Sequence, residues 1–286
     1  MNGQRHIQLK DGTRMPQMGM GTWCLGDHQA TREMEIDALR AGIDAGIKMI
    51  DTAEMYGEGK SEELVGQAIR GYKRDDLFLV SKVYPHNAGK KNIFHSVEQS
   101  IKRLGTDYLD LYLLHWRGNI PLNETIECME ELVRGGKIRY WGVSNFDTSD
   151  MEELFRVDAG SNCAVNQVLY HLGSRGIEYD LVPWLKEHGV PVMAYCPLAQ
   201  AGSLRQDMME NAVLREVASH YGITVMQLLL AFVLHQDNMA AIPRSGSREH
   251  VLENIETGNV VLEPQDLKRI CEEYPAPNGK QPLDIV

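Results

Sequence analysis

The chain has 286 residues, 43 per cent hydrophobic and 24 per cent charged, the make-up of a globular protein with a sizeable core; extended disorder is excluded. A formal net charge of −11, with no basic run longer than a pair such as Lys90-Lys91, argues against nucleic acid or an anionic membrane as partner. Positions 1–10 hold no apolar stretch for a signal peptide or span, so a cytoplasmic location is expected.

The segment 7–15 places Asp11-Gly12 between two short extended pieces, a β-hairpin signal. A short strand with paired glycines follows at 18–23. From there strands and helices alternate. Residues 31–46 read as a helix and 47–51 as a strand ending in Asp51; 61–70 read as a helix capped by Ser61, and 77–82 as a strand ending in Lys82. Residues 92–104 are helical, with Ile93, Val97, Ile101 and Leu104 on one face. The apolar run Leu109-Asp-Leu-Tyr-Leu-Leu114 then reads as a buried strand tipped by His115.

A helix over 123–134, capped by Asn123, stops at Gly135-Gly136. Residues 138–143 form a strand ending in Ser144-Asn145, 148–155 a helix, and 163–166 a strand ending in Gln167. Helix 179–188 precedes strand 191–194, which ends in Tyr195. Two consecutive helices span 211–221 and 224–235, the second opened by a Thr-x-x-Gln capping box at Thr224. A last strand, 239–242, ends in Pro243-Arg244 and is followed by helices over 247–255 and 264–273. Eight strands with helices between them and no linker predict one (β/α)8 barrel domain over 1–286 with an N-terminal β-hairpin; a doubly wound open sheet is the alternative.

In a parallel barrel the C-terminal strand ends share one face, so Asp51, Lys82, His115, Ser144, Asn145, Gln167, Tyr195 and Arg244 should ring a single mouth, with Tyr56 in the loop after Asp51. A tyrosine donates a proton near neutrality when a cation favours the phenolate left behind. Lys82 is expected to supply that charge, Asp51 to keep Lys82 protonated, and His115 to hydrogen-bond a substrate oxygen. The set suits a carbonyl becoming an alcohol, and it holds no activated nucleophile, so the hydride must come from a cofactor.

The segments Asp51-Thr-Ala-Glu-Met-Tyr-Gly57, Leu113-Leu-His-Trp116, Trp141-Gly-Val-Ser-Asn-Phe146 and Ile242-Pro-Arg-Ser245, with the strand ending in Lys82, closely resemble the aldo-keto reductases, and the resemblance runs the length of the chain. That family is a (β/α)8 barrel reducing aldehydes and ketones with NADPH. The resemblance implies Tyr56 as general acid, Asp51 and Lys82 as its tuning pair, and His115 orienting the carbonyl. It implies Ser144, Asn145 and Gln167 at the cofactor's carboxamide and Tyr195 stacked on its nicotinamide. Arg244 and Ser245 match the 2′-phosphate site, and Gly21, Thr22, Leu198, Ser247, His250 and Asn254 match further NADPH contacts. Trp23, Tyr84, His115 and Trp116 match the substrate pocket.

The chain departs from the family pattern in three places. His250 stands where a second phosphate-binding arginine is common, with Arg248 nearby; Cys196 replaces a common serine; Tyr84 replaces a common tryptophan. The short tail after Pro275 is expected to leave the mouth open. Residues 165–180 and the ending Tyr274-Pro-Ala-Pro277 look like bacterial members that reduce methylglyoxal and other small aldehydes. A monomer or weak oligomer is expected.

The same residues admit other readings. Asp51 with Lys82 could be a structural ion pair, Trp23, Trp116 and Tyr195 packing residues, and Asp110 a structural hydrogen-bonder. Residues 57–61 fail the phosphate-loop pattern at Glu54, and 19–24 fail the dinucleotide fingerprint at Cys24. No metal-ligand spacing occurs, and the five scattered cysteines contain no Cys-x-x-Cys pair, so neither metal nor disulfide is expected. A Schiff-base lyase using Lys82 and a cofactor-binding regulatory barrel are the competing functions.

Overall fold

The computed structural model describes residues 5–286. Strands β1 (His6–Gln8) and β2 (Arg14–Pro16) pair antiparallel with Ile7 opposite Met15. Gly12 in the turn has φ +86°, a left-handed conformation that a side chain disfavours. Ile7, Leu9 and Met15 bury themselves with Met49, Phe78 and Leu111, so the hairpin closes one end of the interior.

Eight parallel strands follow: β3 (Gly19–Gly21), β4 (Met49–Asp51), β5 (Phe78–Val83), β6 (Leu109–Leu114), β7 (Ile138–Ser144), β8 (Asn166–Leu169), β9 (Val192–Tyr195) and β10 (Met239–Ala241), each paired with its neighbour in sequence. The ring closes between the first and last. Gly21 N–H donates to the Pro243 carbonyl at 3.0 Å and Ala241 N–H to that of Gln17 at 2.9 Å. A Cβ on Gly21 would stand 2.8 Å from the Ile242 oxygen, so glycine is what lets this seam come together.

The helices are α1 (Arg32–Asp44), α2 (Lys60–Ala68), α3 (Ile93–Leu104), α4 (Leu122–Arg134), α5 (Thr148–Arg156), α6 (Leu181–Glu187), α7 (Ser203–Glu210), α8 (Ala212–His220), α9 (Val225–His235), α10 (Arg248–Thr257) and α11 (Pro264–Glu273). Strand alternation sorts the apolar residues into two cores. On β6, Leu111 and Leu113 fill the barrel interior, while Tyr112 and Leu114 join the layer between strands and helices. On α3 the periodic Ile93, Val97, Ile101 and Leu104 are all buried in that layer, and Gly105 ends the helix at φ 65°. No single helix among the described residues is long and apolar enough to cross a membrane.

Four local expectations fail. Helix α7 is unforeseen, because of its residues only Met208 is buried and the apolar period is faint. Strand β8 starts at Asn166, three residues later than the apolar run 163–166 predicts. Ala164 and Val165 bond only the β7 side, and pairing with β9 begins at Asn166, so Gln167 lies within the strand instead of after it. Asn123 caps nothing: α4 begins at Leu122, directly after Pro121, whose ψ of 134° keeps it outside the helix. Ser61 is likewise inside α2, which begins at Lys60. Its buried hydroxyl turns toward the barrel and donates to the carbonyl and hydroxyl of Thr22 at 3.0 and 2.8 Å. The capping box at Thr224 forms as expected, with Gln227 N–H donating to its hydroxyl at 3.1 Å.

Candidate active site

The C-terminal strand ends bring the four proposed reacting side chains together. Asp51 is the last residue of β4, Lys82 lies near the end of β5, and His115 directly follows β6. Tyr56 opens the single helical turn Tyr56–Gly59, whose Gly57 and Glu58 are both left-handed, a bend that folds the loop back over Asp51. Lys82 is fully buried and its ammonium donates to Asp51 Oδ2 at 2.7 Å, the Thr52 carbonyl at 2.9 Å and the Tyr56 hydroxyl oxygen at 3.1 Å. All three N–H bonds are thereby used. Because the Tyr56 oxygen accepts from Lys82, its own proton remains free for another acceptor. The His115 ring stands edge-on to Tyr56, with centroids 5.7 Å apart.

The electrostatics depart from expectation at Tyr56. Burial first, and then the Asp51 carboxylate, push its phenol well above the usual tyrosine range. Lys82 was expected to pull it down, but desolvation of the phenolate and the carboxylate behind the ammonium outweigh that pull. The consequence is a phenol that stays protonated throughout the neutral range. Lys82 itself is lowered by burial against the opposing pull of Asp51. His115 is driven down to about 2, by burial and then by Lys82, so its imidazole is neutral. Its Nδ1 is buried without a hydrogen-bond partner, and an orphaned acceptor is better tolerated than an orphaned N–H, which favours the proton on Nε2.

The residues matched to the cofactor fall into two groups. Gln167 Nε2 donates to Asp51 Oδ1 at 2.8 Å, tying β8 to the tetrad across 116 positions of sequence. Asn145 donates to the His115 carbonyl at 3.1 Å and to Ser144 Oγ at 3.3 Å, and accepts from the Tyr195 hydroxyl at 2.8 Å. This chain fixes the Tyr195 ring beside the tetrad. Asn145 and Cys196, each directly after a strand, and Cys24 are all left-handed, with φ of 58°, 52° and 59°. Such strain in side-chain-bearing residues gathers where the fold over-determines the backbone at a site.

The second group lies at the barrel seam. The Thr22 hydroxyl donates to the Asp51 carbonyl at 2.9 Å. Exposed Arg244 donates to the carbonyls of Trp23 at 3.0 Å and Cys24 at 3.3 Å, which leaves most of its five N–H donors uncommitted. Ser245 Oγ accepts from Ser247 N–H at 3.1 Å at the entry to α10. His250 and Asn254 lie on α10, exposed and half-buried, with no hydrogen bond to the tetrad. Arg248 pairs with Asp37 at 3.2 Å. Leu198 is half-buried in the loop after β9. Trp116 touches both His115 and Tyr84, at 4.9 and 5.9 Å between centroids, which assembles the expected aromatic wall.

The tail corrects another expectation. Lys280 reaches the rim to pair with Asp147 at 2.6 Å and Asp180 at 2.8 Å, Asp284 accepts from Ser174, and the main chain of Val286 approaches the Tyr195 hydroxyl. Charged partners on the loops after β7 and β8 draw a short segment across one side of the mouth. Among the described residues no group of three or more His, Cys, Asp and Glu side chains is placed to hold a metal ion. A polar groove of about 840 Å³ between α2 and α3, lined by Gln67, Arg70 and Lys102 among others, includes none of the tetrad.

The profile of the Aldo/keto reductase family matches residues 17–274. The chain belongs to the aldo/keto reductase family. Within it, the chain is 50 per cent identical over 283 residues to methylglyoxal reductase YeaE of Escherichia coli, covering 99 per cent of each chain. It is 34 per cent identical over 266 residues to glyoxal reductase of Bacillus subtilis, covering 92 and 91 per cent. A crystal structure of an aldo/keto reductase from Klebsiella pneumoniae in complex with NADP and acetate superposes with a TM-score of 0.96 at 54 per cent identity, covering 99 per cent of this chain and 100 per cent of that one. The matches to aldo/keto reductases run through the barrel and the loops alike.

Proposed function

We propose that this aldo/keto reductase reduces small aldehydes, 2-oxoaldehydes of the methylglyoxal type among them, with NADPH. The observation that carries the reading is the Tyr56 hydroxyl, which accepts from Lys82 at 3.1 Å and so holds its proton toward an incoming oxygen. Methylglyoxal and glyoxal are the substrates named for two of the relatives, and NADP is bound in the Klebsiella neighbour. The residues here fit that cofactor. Uncommitted N–H donors on exposed Arg244 suit a 2′-phosphate, and the Asn145–Tyr195 bond presents an aromatic face beside Ser144 and Gln167. The remaining matched contacts, Gly21, Thr22, Leu198, Ser245, Ser247, His250 and Asn254, complete the same site.

When bound, the nicotinamide supplies the hydride. The protein's part is to hold the carbonyl and deliver a proton. Neutral His115, as an Nε2–H donor, orients the carbonyl oxygen beside the Tyr56 hydroxyl. As negative charge grows on that oxygen, Tyr56 gives up its proton, and the adjacent ammonium of Lys82 stabilises the phenolate at the moment it forms. Asp51 holds Lys82 and keeps it charged. Trp23, Tyr84 and Trp116 wall the entrance, where Trp23 and Trp116 keep 47 and 37 per cent of their surface exposed and suit a small substrate. The chain works as one barrel domain of the cytoplasm, a monomer or weak oligomer acting on free aldehydes and not on nucleic acid or membranes.

The Schiff-base alternative is disfavoured by Lys82 itself, whose three N–H bonds are all engaged and whose side chain is fully buried. The test is NADPH consumption, followed by absorbance, over a panel of aldehydes including methylglyoxal. Tyr56→Phe is expected to slow turnover by about 10²–10⁴-fold with NADPH affinity retained. Turnover at the wild-type rate in that variant would sink the assignment; oxidation of NADPH with no aldehyde in the panel would favour a regulatory barrel.

A further inference from the structure

The spacing of Tyr56 and Lys82 depends on a turn that is strained from within. Gly57, Glu58 and Gly59 follow Tyr56 with φ of 57°, 54° and 91°, all left-handed, and Glu58 bears a side chain. Such a turn keeps its shape only if both of its ends are fixed. Ahead of Tyr56, the Glu54 N–H donates to the Lys82 carbonyl at 3.3 Å, which continues the pairing of β4 with β5. Behind it the anchors are side chains. Ser61 binds Thr22, and it also accepts from the Thr52 hydroxyl at 3.2 Å.

The next residue, Glu62, is a fully buried carboxylate on the first turn of α2. Along β5, Val80 faces the barrel interior while Leu79 and Val83 face the helix layer, so Ser81 turns away from the mouth that Lys82 enters. There the Ser81 hydroxyl donates to Glu62 Oε1 at 2.6 Å, and Arg103 Nε, from α3, donates to Oε2 at 2.6 Å. The Arg103 stem runs against the turn itself: a Cβ on Gly59 would stand 2.6 Å from its Cδ. The Glu62 charge also acts through the strand, favouring the ammonium of Lys82 together with Asp51.

A buried ion pair is a weak source of stability, because apolar residues of similar volume hold a fold as well. What this one adds is a connection. Ser81 is bonded directly to Lys82, and Glu62 stands on the helix into which the Tyr56 turn runs. Resting on the reductase reading above, we propose that Glu62, clamped by Arg103, is a positioning residue for proton transfer: through Ser81 it sets the distance between the Tyr56 hydroxyl and the Lys82 ammonium. Its carboxylate lies on the opposite face of β5 from the reacting groups, so the rate should depend on it and cofactor affinity should not.

The test reads a single turnover, with NADPH already bound and methylglyoxal added, beside NADPH affinity and Tm. Glu62→Gln keeps an acceptor for Ser81 but gives up the charge and the grip of Arg103. A displacement of about 1 Å between reacting groups costs up to about 10²-fold, so this variant is expected to slow the single turnover by about 10- to 100-fold, with NADPH affinity and the aldehyde KM within about 2-fold. Ser81→Ala should slow it by about 3- to 10-fold, and Ser81→Thr, which restores the hydroxyl, should recover most of that loss. Glu62→Leu combined with Arg103→Met removes both charges; Tm should stay near that of the wild type while the turnover stays slow. A wild-type rate in Glu62→Gln would overturn the proposal. So would a rate that recovers with Tm in the double variant, or a loss of NADPH affinity as large as the loss of rate. Should Glu62→Gln fail to fold, the Ser81→Ala and Ser81→Thr pair decides. A wild-type protein that oxidises NADPH with no aldehyde, or an unimpaired Tyr56→Phe, would refute the reductase reading itself, a result distinct from failure at Glu62.

Discussion

The barrel carries a buried carboxylate ion pair at each end, and the two are built from similar parts for different ends. At the N-terminal end, Asp110 of β6 accepts from Arg74 at 2.7 Å, Arg139 at 3.0 Å and the Leu79 N–H at 2.9 Å. The two guanidinium groups lie over the Tyr108 ring at 3.8 and 4.4 Å, and its hydroxyl donates to Asp75. The one hydroxyl proton there is spent on Asp75, and none is left over. At the C-terminal end Asp51 accepts from Lys82 and Gln167, and Lys82 also donates to a tyrosine whose own proton is left over. A saturated cluster can only hold the fold together, while one with a surplus proton beside a cation can also do chemistry.

The largest effects should separate the two ends. Lys82→Met is expected to lose turnover by about 10²–10⁴-fold and to cost about 3–5 kcal/mol of stability by leaving Asp51 charged and unpaired. Adding Asp51→Leu should restore most of the stability and none of the activity, read by urea denaturation alongside NADPH oxidation. Asp110→Ala should cost a similar ~3–5 kcal/mol but leave kcat/KM of the folded protein unchanged. A drop in kcat/KM there would mean that the ends are coupled.

Acid titration gives an intermediate effect. His115 is lowered to about 2 and His171 to about 4, so below about pH 6.5 the unfolded chain takes up protons that the native chain refuses. Stability therefore rises with pH across that window and is lost as pH falls, by roughly 3 kcal/mol per histidine at about pH 4. His171→Gln should remove about half of this slope while its melting temperature at neutral pH changes little. The sign reverses in alkali: buried Tyr56, Tyr112, Tyr170 and Tyr195 are all raised, so stability holds below about pH 10 and falls above it as the unfolded chain ionises first. A melting temperature insensitive to pH in both ranges would contradict these shifts. The smallest effect is at Thr224, whose replacement by alanine removes one cap, costs about 1 kcal/mol and leaves catalysis untouched.

Much of the site was legible because a parallel barrel converts position along a strand into position in space. Asp51, Lys82, His115 and Tyr195 each end or follow an apolar run, so reading the runs placed them at one mouth. Gln167 was read as the polar residue closing strand 163–166, but the strand starts three residues later and holds Gln167 inside it, since the apolar content of 163–165 does not reveal that β9 pairs only from Asn166. Ser61 and Asn123 were misread as caps, because local hydrogen-bonding preference cannot see a buried hydroxyl's partner 39 residues away or a proline that sets the helix start one residue earlier. Helix α7 left little signal, lying in a polar stretch with a single buried residue.

The sequence by itself determined the alternation of strands and helices, the residues that face inward and the chemical types delivered to the strand ends. These depend on period and composition, which are local. The tertiary structure decided the direction of the Tyr56 shift, the unpartnered Nδ1 of His115, and the reach of Lys280 to Asp147 across 133 positions. Those depend on what is excluded from water and on which charges meet through space, and neither quantity exists until the barrel has closed.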